Sequence, residues 1–387
     1  MNHLSSHFTF LHHDQLLLWA TQKHAPTFPK APKIAWQKCI KMAHYHAVIP
    51  QLQHAIKHNK ISIPQPFMIQ LQSLQRNIAL ENMTLAAELI NITKELDKKR
   101  LPYLSIKGPA LSQSLHQNIT TRQICDLDIL VDEEDLIKIA DILIQKGYRA
   151  QLPYDLLKNA GFRALDNDFT FLHYDKKIMI ELHWKLFPSR HHMPLDFEML
   201  YHSHIHVTLQ KHNIKVLSNA NNLLYLCLHA SKHLFEQLKW LCDIDRLIRD
   251  SPNLDFTTLY TKAQTLQVQE PLLLALQMSK ALYSTPLPPL VEAKTTPKTI
   301  KLLEKSLKYF SEDFTTLEEG TKKRLRLLFL QELNSDKQNK FLALFIYLFK
   351  PTSVDYIYYN LQKNLNFLYP LLRPIRLLKK YLFKGKI

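Results

Sequence analysis

Hydrophobic positions in the first hundred residues repeat at helical spacing. Between Arg76 and Lys98 the apolar side chains recur mostly every third or fourth residue, and the segment contains neither glycine nor proline. Proline-bearing segments near residues 26–32 and 64–66 separate this helix from shorter ones before it. The pattern predicts a helical N-terminal region over residues 1–98.

The pattern changes after residue 100 to short strands and turns. Residues 103–106 are apolar and predict a strand, which Lys107-Gly108-Pro109 follows. Pro109 suits the first turn of a helix, and residues 110–116 can continue it. Residues 124–131 (ICDLDILV) alternate like a second strand, so Cys125 and the apolar side chains are expected to face the core.

A helix and a β-hairpin are predicted next. The acidic run 132–135 indicates a helix N-terminus with Asp132 as its N-cap, and Gly147 suits the C-terminal end of that helix. Residues 169–174 and 178–184 flank a polar turn and predict a hairpin. These elements together predict a small mixed β-sheet core over residues 99–218.

Helical spacing returns from residue 221 towards the C-terminus. Two helices are predicted before residue 250, and loops near 286–289 and 350–351 interrupt the remainder. The pattern predicts a helical C-terminal region over residues 219–387. The expected fold class is therefore α+β, with a small mixed sheet embedded between helical N-terminal and C-terminal regions.

Composition limits the class of protein. Of the 387 residues, 46% are hydrophobic and 22% are charged, which excludes a wholly disordered chain. Four cysteines in a chain of this length do not make a disulfide framework, so we expect reduced thiols and a cytoplasmic location. The longest apolar stretch, residues 341–349, is too short to span a bilayer, so no integral membrane segment is expected.

The chain is strongly basic, with 50 Lys and Arg against 34 Asp and Glu and a net charge of +16. The excess is dense in the last third, in residues 322–326 and from Arg373 to Lys386. Such a charge favours phosphate-rich partners, among which RNA or tRNA is considered. The C-terminal run also suits a peripheral contact with an anionic surface, or a helix that packs only on its own protein.

Three carboxylates are candidates for binding a metal ion. Asp126 and Asp128 are two residues apart, and side chains alternate along a strand, so both are expected on one face. A divalent cation would relieve their repulsion, and carboxylate oxygens suit Mg²⁺ or Mn²⁺. Glu181, between apolar neighbours in the predicted hairpin, offers a third carboxylate. The alternative is a surface strand that happens to carry two Asp residues.

Lys107, Gly108 and Arg122 are candidates for binding phosphate. A glycine permits close approach of the backbone, and a helix that begins there offers N–H groups to an anion. Lys107 and Arg122 would add positive charge. The alternatives are a plain turn at Gly108 and ordinary surface charge at the other two residues.

Histidines supply two further candidate sites. His229, Lys232 and His233 have i, i+3 and i+4 spacing and share a helical face, which would face a triphosphate or form a polar seam against the core. Asp243, in the next predicted helix, would hold a ligand or position Lys232, or it would be a surface residue of a packed helix, which is the favoured expectation. The alternating residues 202, 204 and 206 are all His and suit either a zinc site or an exposed polar face.

In this order, the motifs resemble those of the uncharacterised nucleotidyltransferases within the polymerase-β-like superfamily. The resemblance is carried by LSIKGPAL, Arg122, DLDILV and KGY. It continues in ELHW at 181–184, HASKH at 229–233, LKWLCDIDRLI at 238–248 and YPLLRPIRLLKK at 369–380.

The resemblance implies a mixed sheet of the five-stranded type with two flanking helices, a glycine loop that holds the NTP, and Mg²⁺ bound by acidic residues. By this resemblance Gly108 is the loop glycine, Asp126 and Asp128 are the metal-binding pair, and Glu181 is the later carboxylate. The superfamily usually has Gly-Ser at the loop. This chain has Pro109 there instead, so a serine contact to phosphate is missing.

The expected function is Mg²⁺-dependent transfer of a nucleoside monophosphate, namely AMP, from an NTP to an acceptor hydroxyl or phosphate. The acceptor is RNA or tRNA, a protein or a small molecule. The expected catalytic and metal-binding residues are Asp126, Asp128 and Glu181, and the expected nucleotide-binding residues are Lys107, Gly108, Arg122, His229, Lys232 and His233. The alternative is a non-catalytic nucleotide-binding or scaffold protein with a degenerate fold of this type.

Overall fold

A computed structural model of the chain describes residues 12–23, 34–188, 195–308, 316–333, 345 and 348–382. The proline-bearing segment 26–32 and residues 383–387 lie outside the described residues, as does most of the apolar stretch 341–349. In the described part, helices surround a mixed sheet, which confirms the predicted α+β class.

Seven strands form the sheet, two more than the resemblance implies. In chain order they are β1 (Tyr103–Ser105), β2 (Leu127–Val131), β3 (Arg149–Ala150), β4 (Asp168–His173), β5 (Ile178–His183), β6 (Ile205–Leu209) and β7 (His212–Val216). The hydrogen-bonded order is β3-β4-β5-β2-β1-β7-β6. The β2–β5 and β1–β7 pairs are parallel, whereas β3–β4, β4–β5 and β6–β7 are antiparallel.

The helices fall before, between and after these strands. The first nine are α1 (His12–Thr21), α2 (Trp36–Tyr45), α3 (Ile49–His58), α4 (Gln65–Lys98), α5 (Gly108–His116), α6 (Leu136–Gln145), α7 (Tyr154–Leu157), α8 (Ala160–Leu165) and α9 (Phe197–His202). The next six are α10 (Asn219–Lys232), α11 (Leu238–Asp250), α12 (Phe256–Thr265), α13 (Gln269–Tyr283), α14 (Pro289–Lys294) and α15 (Pro297–Leu307). The last three are α16 (Glu319–Leu333), α17 (Ser353–Tyr359) and α18 (Tyr369–Leu382), with a 3₁₀ helix (Lys363–Leu368) before α18.

The chain divides into two compact units. The first comprises the described parts of residues 1–95, 104–125 and 203–333, and the second those of residues 96–103, 126–202 and 334–387. In the first unit α10, α11 and α13 pack on one another. Most of their buried residues are apolar, so this trio forms much of the first unit's core.

The second unit is built on β2, β4 and β5. Every residue of β2 is buried, as is usual for a strand between two parallel or mixed neighbours in the middle of a sheet. Aromatic residues of β4 and aliphatic residues of β5 extend the same core, namely Phe169, Phe171, Ile178, Ile180 and Leu182. Helix α6 contacts the short edge strand β3 and ends at Gln145, and Gly147 just after it has the left-handed φ of +92° expected for a C-terminal glycine.

Two local expectations are wrong. Strand β2 begins at Leu127 rather than residue 124, so Cys125 precedes the strand and its thiol is exposed instead of facing the core. Helix α6 begins at Leu136 with Asp135 as its N-cap. Asp132 instead accepts a hydrogen bond from the backbone N–H of Glu134 at 2.8 Å, closing a turn before the helix.

Candidate metal and nucleotide sites

Asp128 and Glu181 lie side by side because their strands are parallel neighbours. In the β2–β5 register Asp128 is directly opposite Glu181, so both side chains leave the same face of the sheet. The opposite face at this point carries Leu127, Ile129 and Leu182, all buried. The alternation of polar and apolar residues in both strands therefore brings two carboxylates together on one side of an apolar layer.

His183 completes this group on the same face, two residues after Glu181. Its Nε2 lies 3.3 Å from Oδ1 of Asp128 and 3.5 Å from Oε2 of Glu181. One ligand atom from each of the three residues can be chosen so that all lie within 4.8 Å of one another. Asp128, Glu181 and His183 are called the acidic cluster below.

The three side chains differ in access to solvent. The Asp128 side chain is 0% exposed and that of His183 is 6% exposed, whereas 29% of the Glu181 side chain remains accessible. A buried carboxylate is costly unless a positive charge lies beside it. The Asp128 carboxylate therefore needs a positive charge beside it, and Glu181 is the contact of the acidic cluster with the outside.

Positive charge at this position is stabilised by the surrounding carboxylates. Burial alone would lower the pKa of His183, but hydrogen bonds to Asp128 and Glu181 and the charge of Asp168 outweigh it and raise the pKa to about 10. Nδ1 of the ring lies 3.1 Å from the amide nitrogen of Asn167, which holds Nε2 towards the carboxylates.

The donor set fits a divalent cation. Two carboxylates offer the hard oxygen ligands that Mg²⁺ and Mn²⁺ prefer, and an imidazole nitrogen is a better ligand for Mn²⁺ than for Mg²⁺. His183 must lose the proton on Nε2 before that nitrogen can bind the ion, because metal ligands bind in their deprotonated form. Asp128, Glu181 and His183 are thus the residues that would hold the ion.

Asp126 was expected to share a face with Asp128 at the metal site. It precedes the first residue of β2, is half-buried, and is not a member of the acidic cluster. Its role as a metal ligand stays a prediction. His183, in contrast, was not anticipated as a site residue. The signal for it is its spacing in ELHW, because residues 181 and 183 share one face of a strand.

The Lys107-Gly108 turn lies in the first unit, between β1 and α5. Gly108 has a φ of +66°, in the left-handed region that favours glycine, and it is the first residue of α5. Pro109 follows in the first helical turn, as predicted. The turn therefore places the N-terminal N–H groups of a nine-residue helix just after the end of a strand.

Four of the predicted nucleotide-binding residues lie together in the first unit. The His229 ring is 4.8 Å from that of His233 between centroids, and Lys107 and Lys232 are close enough to act on its charge. Burial, and then the positive charges of Lys107, His233, Lys232 and Lys239, lower the pKa of His229 well below its ordinary value. This group, with Lys239 as a member that sequence reasoning missed, is called the basic cluster below.

An aromatic side chain supports the basic cluster. The Trp240 ring lies 5.4 Å from the ring of His229 and 5.1 Å from that of His233 between centroids. Trp240 is buried in α11, whereas His229 is on α10 and His233 is the C-cap of that helix, so the packing of these helices fixes the cluster. A rigid group of cations beside an aromatic surface suits a phosphate-bearing ligand.

Arg122 is engaged elsewhere in the first unit. It is buried, and its Nε donates to both carboxylate oxygens of Asp243 at 3.0 Å. The expectation of a surface Asp243 is wrong, because the residue is buried on α11. Burial raises the pKa of Asp243, and the Arg122 guanidinium opposes that shift. Asn82 on α4 donates to the carbonyl of Arg122 at 2.7 Å, so this pair ties three segments together.

A family model described as an uncharacterised nucleotidyltransferase matches residues 32–284. The chain belongs to this family. The match covers more than half of the chain and includes the acidic cluster, the glycine turn and the basic cluster. It ends before residues 369–380, so that part of the sequence resemblance lies outside the match.

Membership of the nucleotidyltransferase family confirms the predicted enzyme class. No curated protein sequence matches the chain. Across the described residues, no helix combines enough length with enough apolar character to cross a bilayer. The group of three potential metal ligands found in that part of the chain is the acidic cluster, which does not include the histidines at 202, 204 and 206. Of these histidines, His202 ends α9, whereas His206 is in β6.

Proposed function

We propose that this nucleotidyltransferase transfers AMP from ATP to an acceptor hydroxyl, with a divalent cation held by the acidic cluster. The observation that carries the proposal is the pairing of Asp128 with Glu181 across β2 and β5, completed by His183. When bound, Mg²⁺ or Mn²⁺ would supply positive charge that stabilises negative charge on the reacting oxygens. We also propose Asp126 as a further ligand at the edge of this site.

Glu181 is proposed as the proton acceptor of the reaction. Its side chain is partly accessible, whereas that of Asp128 is not, so only Glu181 can meet an acceptor that arrives from solvent. The acceptor oxygen would form a bond to the α-phosphorus as the bond from that phosphorus to the bridging oxygen of the β-phosphate breaks. The acceptor proton would pass to Glu181, and pyrophosphate would leave.

The basic cluster and the Gly108 turn are proposed to bind the triphosphate. Lys107, Lys232 and His233 supply positive charge or hydrogen-bond donors, and neutral His229 supplies a ring nitrogen. The α5 N-terminus offers backbone donors. Arg122 remains a proposed phosphate ligand, although its contact with Asp243 favours a role in positioning the turn and α11.

The acceptor class is proposed to be RNA, with tRNA included, because of the net charge of +16. Transfer to RNA would then weaken steeply between about 50 and 200 mM salt. A protein or small-molecule acceptor would show a shallow salt dependence instead. The four free cysteines, three of them buried, support a reducing compartment such as the cytoplasm as the place of reaction.

The proposal is tested by transfer of label from α-³²P-ATP and from γ-³²P-ATP to total RNA and to lysate, with Mg²⁺ or Mn²⁺. Label from the α-position alone is expected, since nucleotidyl transfer keeps the α-phosphate and releases the other two. Asp128→Asn and Glu181→Gln should each lower transfer by about 100-fold or more. Asp155→Asn is the matched control, because that carboxylate is 94% exposed and makes one weak contact with Lys158.

A non-catalytic nucleotide-binding protein is the second candidate. Two observations favour it, namely Pro109 in place of a serine and His183 between the two carboxylates. If ATP binds but neither label is transferred to RNA, lysate or small molecules, the catalytic proposal fails and this candidate replaces it.

A further inference from the structure

Helices α17 and α18 of the second unit, with the 3₁₀ helix between them, carry an unusual number of exposed hydrophobic side chains. Seventeen large hydrophobic side chains are exposed in the described residues, and seven of these lie between residues 354 and 378. The seven are Val354, Ile357, Tyr358, Phe367, Leu371, Ile375 and Leu378, called the C-terminal apolar face below. Scattered exposed hydrophobic residues are normal, but a concentration of them indicates a surface that binds something.

Helix α18 buries an arginine and exposes two leucines, although Leu377 is buried as well. Arg373 is buried together with Tyr369, whereas Leu371 and Leu378 are 63% and 60% exposed. Leu371, Ile375 and Leu378 are spaced by four and three residues, so they share one helical face. A helix with arginine inside and leucine outside leaves its apolar side in need of a partner.

Buried ion pairs hold this orientation in place. Arg373 donates through Nη1 to Oδ2 of Asp355 at 2.8 Å, and Nε of Arg376 donates to the other oxygen of the same carboxylate. Asp355 belongs to α17, and its side chain is fully buried. The backbone N–H of Thr352 donates to it as well. Rotation of α18 to bury its leucines would expose these charges and break their contacts.

Aromatic packing fixes the same two helices on the rest of the second unit. The Tyr356 ring stacks on that of Tyr369 with 3.7 Å between centroids and also contacts the Phe162 ring of α8. Gly161 lies against Tyr356 so closely that an added Cβ would come within 2.5 Å of the hydroxyl oxygen. These contacts therefore fix the position of the helices that carry the C-terminal apolar face.

Positive charge borders the C-terminal apolar face. Residues 356–387 contain no acidic residue but several basic ones, namely Lys363, Arg373, Arg376, Lys379, Lys380, Lys384 and Lys386. Lys379 and Lys380 are exposed directly after Leu378. With the two arginines paired to Asp355, these lysines leave the outer side of the helix apolar and cationic.

We propose that the C-terminal apolar face docks on an anionic lipid surface. Its leucine and isoleucine side chains would enter the boundary between headgroups and acyl chains, and Lys379 and Lys380 would contact the anionic headgroups. A second copy of the chain would bring the same cationic face against itself, and a nucleic acid would leave the hydrophobic side chains in water. The surface lies beyond the family match at 32–284, so it is a property of this chain in addition to nucleotidyl transfer.

The test is co-sedimentation of the full chain with two kinds of vesicle, phosphatidylcholine alone and phosphatidylcholine with phosphatidylglycerol. Wild type should bind the anionic vesicles at least tenfold more tightly than the neutral ones, and added salt should weaken this binding. Equal or undetectable binding to both kinds would overturn the proposal.

Two variants separate the contributions of the face. Leu371→Glu/Leu378→Glu should lower binding to anionic vesicles at least tenfold with an unchanged melting temperature, because both side chains are exposed. Leu80→Glu, which changes a 57% exposed leucine of α4, should bind like wild type. Lys379→Gln/Lys380→Gln should lose most of the preference for anionic vesicles. If wild type is a dimer that Leu371→Glu/Leu378→Glu dissociates, the partner is a second copy and the lipid proposal is wrong.

Discussion

At the scale of single residues, Asp128 and Asp243 are both buried carboxylates, but different groups compensate their negative charges. Both carboxylates are 1% exposed and therefore need a positive charge close by. Asp243 has a permanent one in the guanidinium of Arg122. Asp128 faces an imidazole and a second carboxylate, an arrangement that accepts a cation from outside. The Arg122–Asp243 pair therefore stabilises the fold, and the acidic cluster is assigned to the proposed chemistry.

Removing one member of the Arg122–Asp243 pair should strongly destabilise the protein. In Arg122→Met the Asp243 carboxylate would remain buried without its partner, so the free energy of unfolding should fall by about 3–5 kcal/mol. The same loss is expected for Asp243→Leu. Urea denaturation of the full chain measures both.

The double variant is the control for this prediction. Arg122→Met/Asp243→Leu removes both charges at once and should recover most of the lost stability, because an apolar pair needs no compensation in the core. Single variants that each cost less than about 1 kcal/mol would show that water reaches the pair.

Local sequence pattern predicts part of the candidate site at this scale. The alternation in DLDILV and IMIELHW predicts that Asp128 and Glu181 lie on strands. The place of His183 beside both follows from the parallel β2–β5 register, which no local pattern encodes. Likewise, burial of Asp243 and its partner 121 positions away depend on how distant segments pack.

At the scale of elements, the turn from β1 into α5 depends on one glycine. Gly108 combines a φ of +66° with the first position of a helix, and the next residue is Pro109. In this left-handed conformation, an L-amino acid at position 108 would place its Cβ too close to its own carbonyl oxygen. The resulting turn sets the direction of the α5 N-terminus.

Gly108→Ala should therefore lower both stability and nucleotide affinity. The left-handed conformation costs a non-glycine residue about 1–2 kcal/mol, and relaxation of that strain would move the proposed phosphate-binding N–H groups. Thermal unfolding and ATP titration of the variant measure the two effects.

Gly320→Ala offers a matched comparison in α16. An added Cβ at Gly320 meets nothing within 4 Å, so this variant should be as stable as wild type or more stable by up to about 1 kcal/mol. Equal behaviour of the two alanine variants would contradict the special role of Gly108.

The pattern of the sequence predicts elements better than it predicts their ends. The α4 helix, the β4–β5 hairpin and the Gly147 helix end agree with periodicity and stop signals, because these depend on neighbours in the chain. The N-cap of α6 does not, because a turn stabilised by Asp132 precedes that helix, and the start of β2 at Leu127 also differs from the prediction. Strand β7 has only two buried residues and therefore gives a weak signal.

At the scale of the whole molecule, each unit combines segments that are far apart in the sequence. The first unit unites three segments, and buried polar groups lie where these segments pack. One is His46, whose Nδ1 lies 3.2 Å from the carbonyl oxygen of Glu236. Which segments join in one unit cannot be predicted from periodicity, since periodicity describes each helix alone.

Buried histidines should make the protein sensitive to acid. Burial lowers the pKa of His46 to about 4, and burial together with Arg246 and Arg122 lowers that of His116 to about 3. In the unfolded chain both would titrate near 6.5. Their contribution to stability is therefore complete above pH 6.5 and is lost progressively as the pH falls towards 4.

His46→Gln tests this linkage, since a glutamine amide can still reach the Glu236 carbonyl and does not titrate. Between pH 7 and pH 5 the wild type should lose about 2 kcal/mol more stability than the variant. Melting temperatures over this range measure the difference. Parallel curves for the two proteins would mean that His46 is protonated in the folded state.

The central claim is that the acidic cluster binds a divalent cation for nucleotidyl transfer. Titration of Mn²⁺, followed by electron paramagnetic resonance in the presence of a non-hydrolysable ATP analogue, tests it most directly. We expect saturable binding to wild type and to the exposed-site control Asp155→Asn, with affinity at least about tenfold weaker in Asp128→Asn and in His183→Ala. Equal Mn²⁺ affinity in wild type and folded Asp128→Asn would contradict the claim.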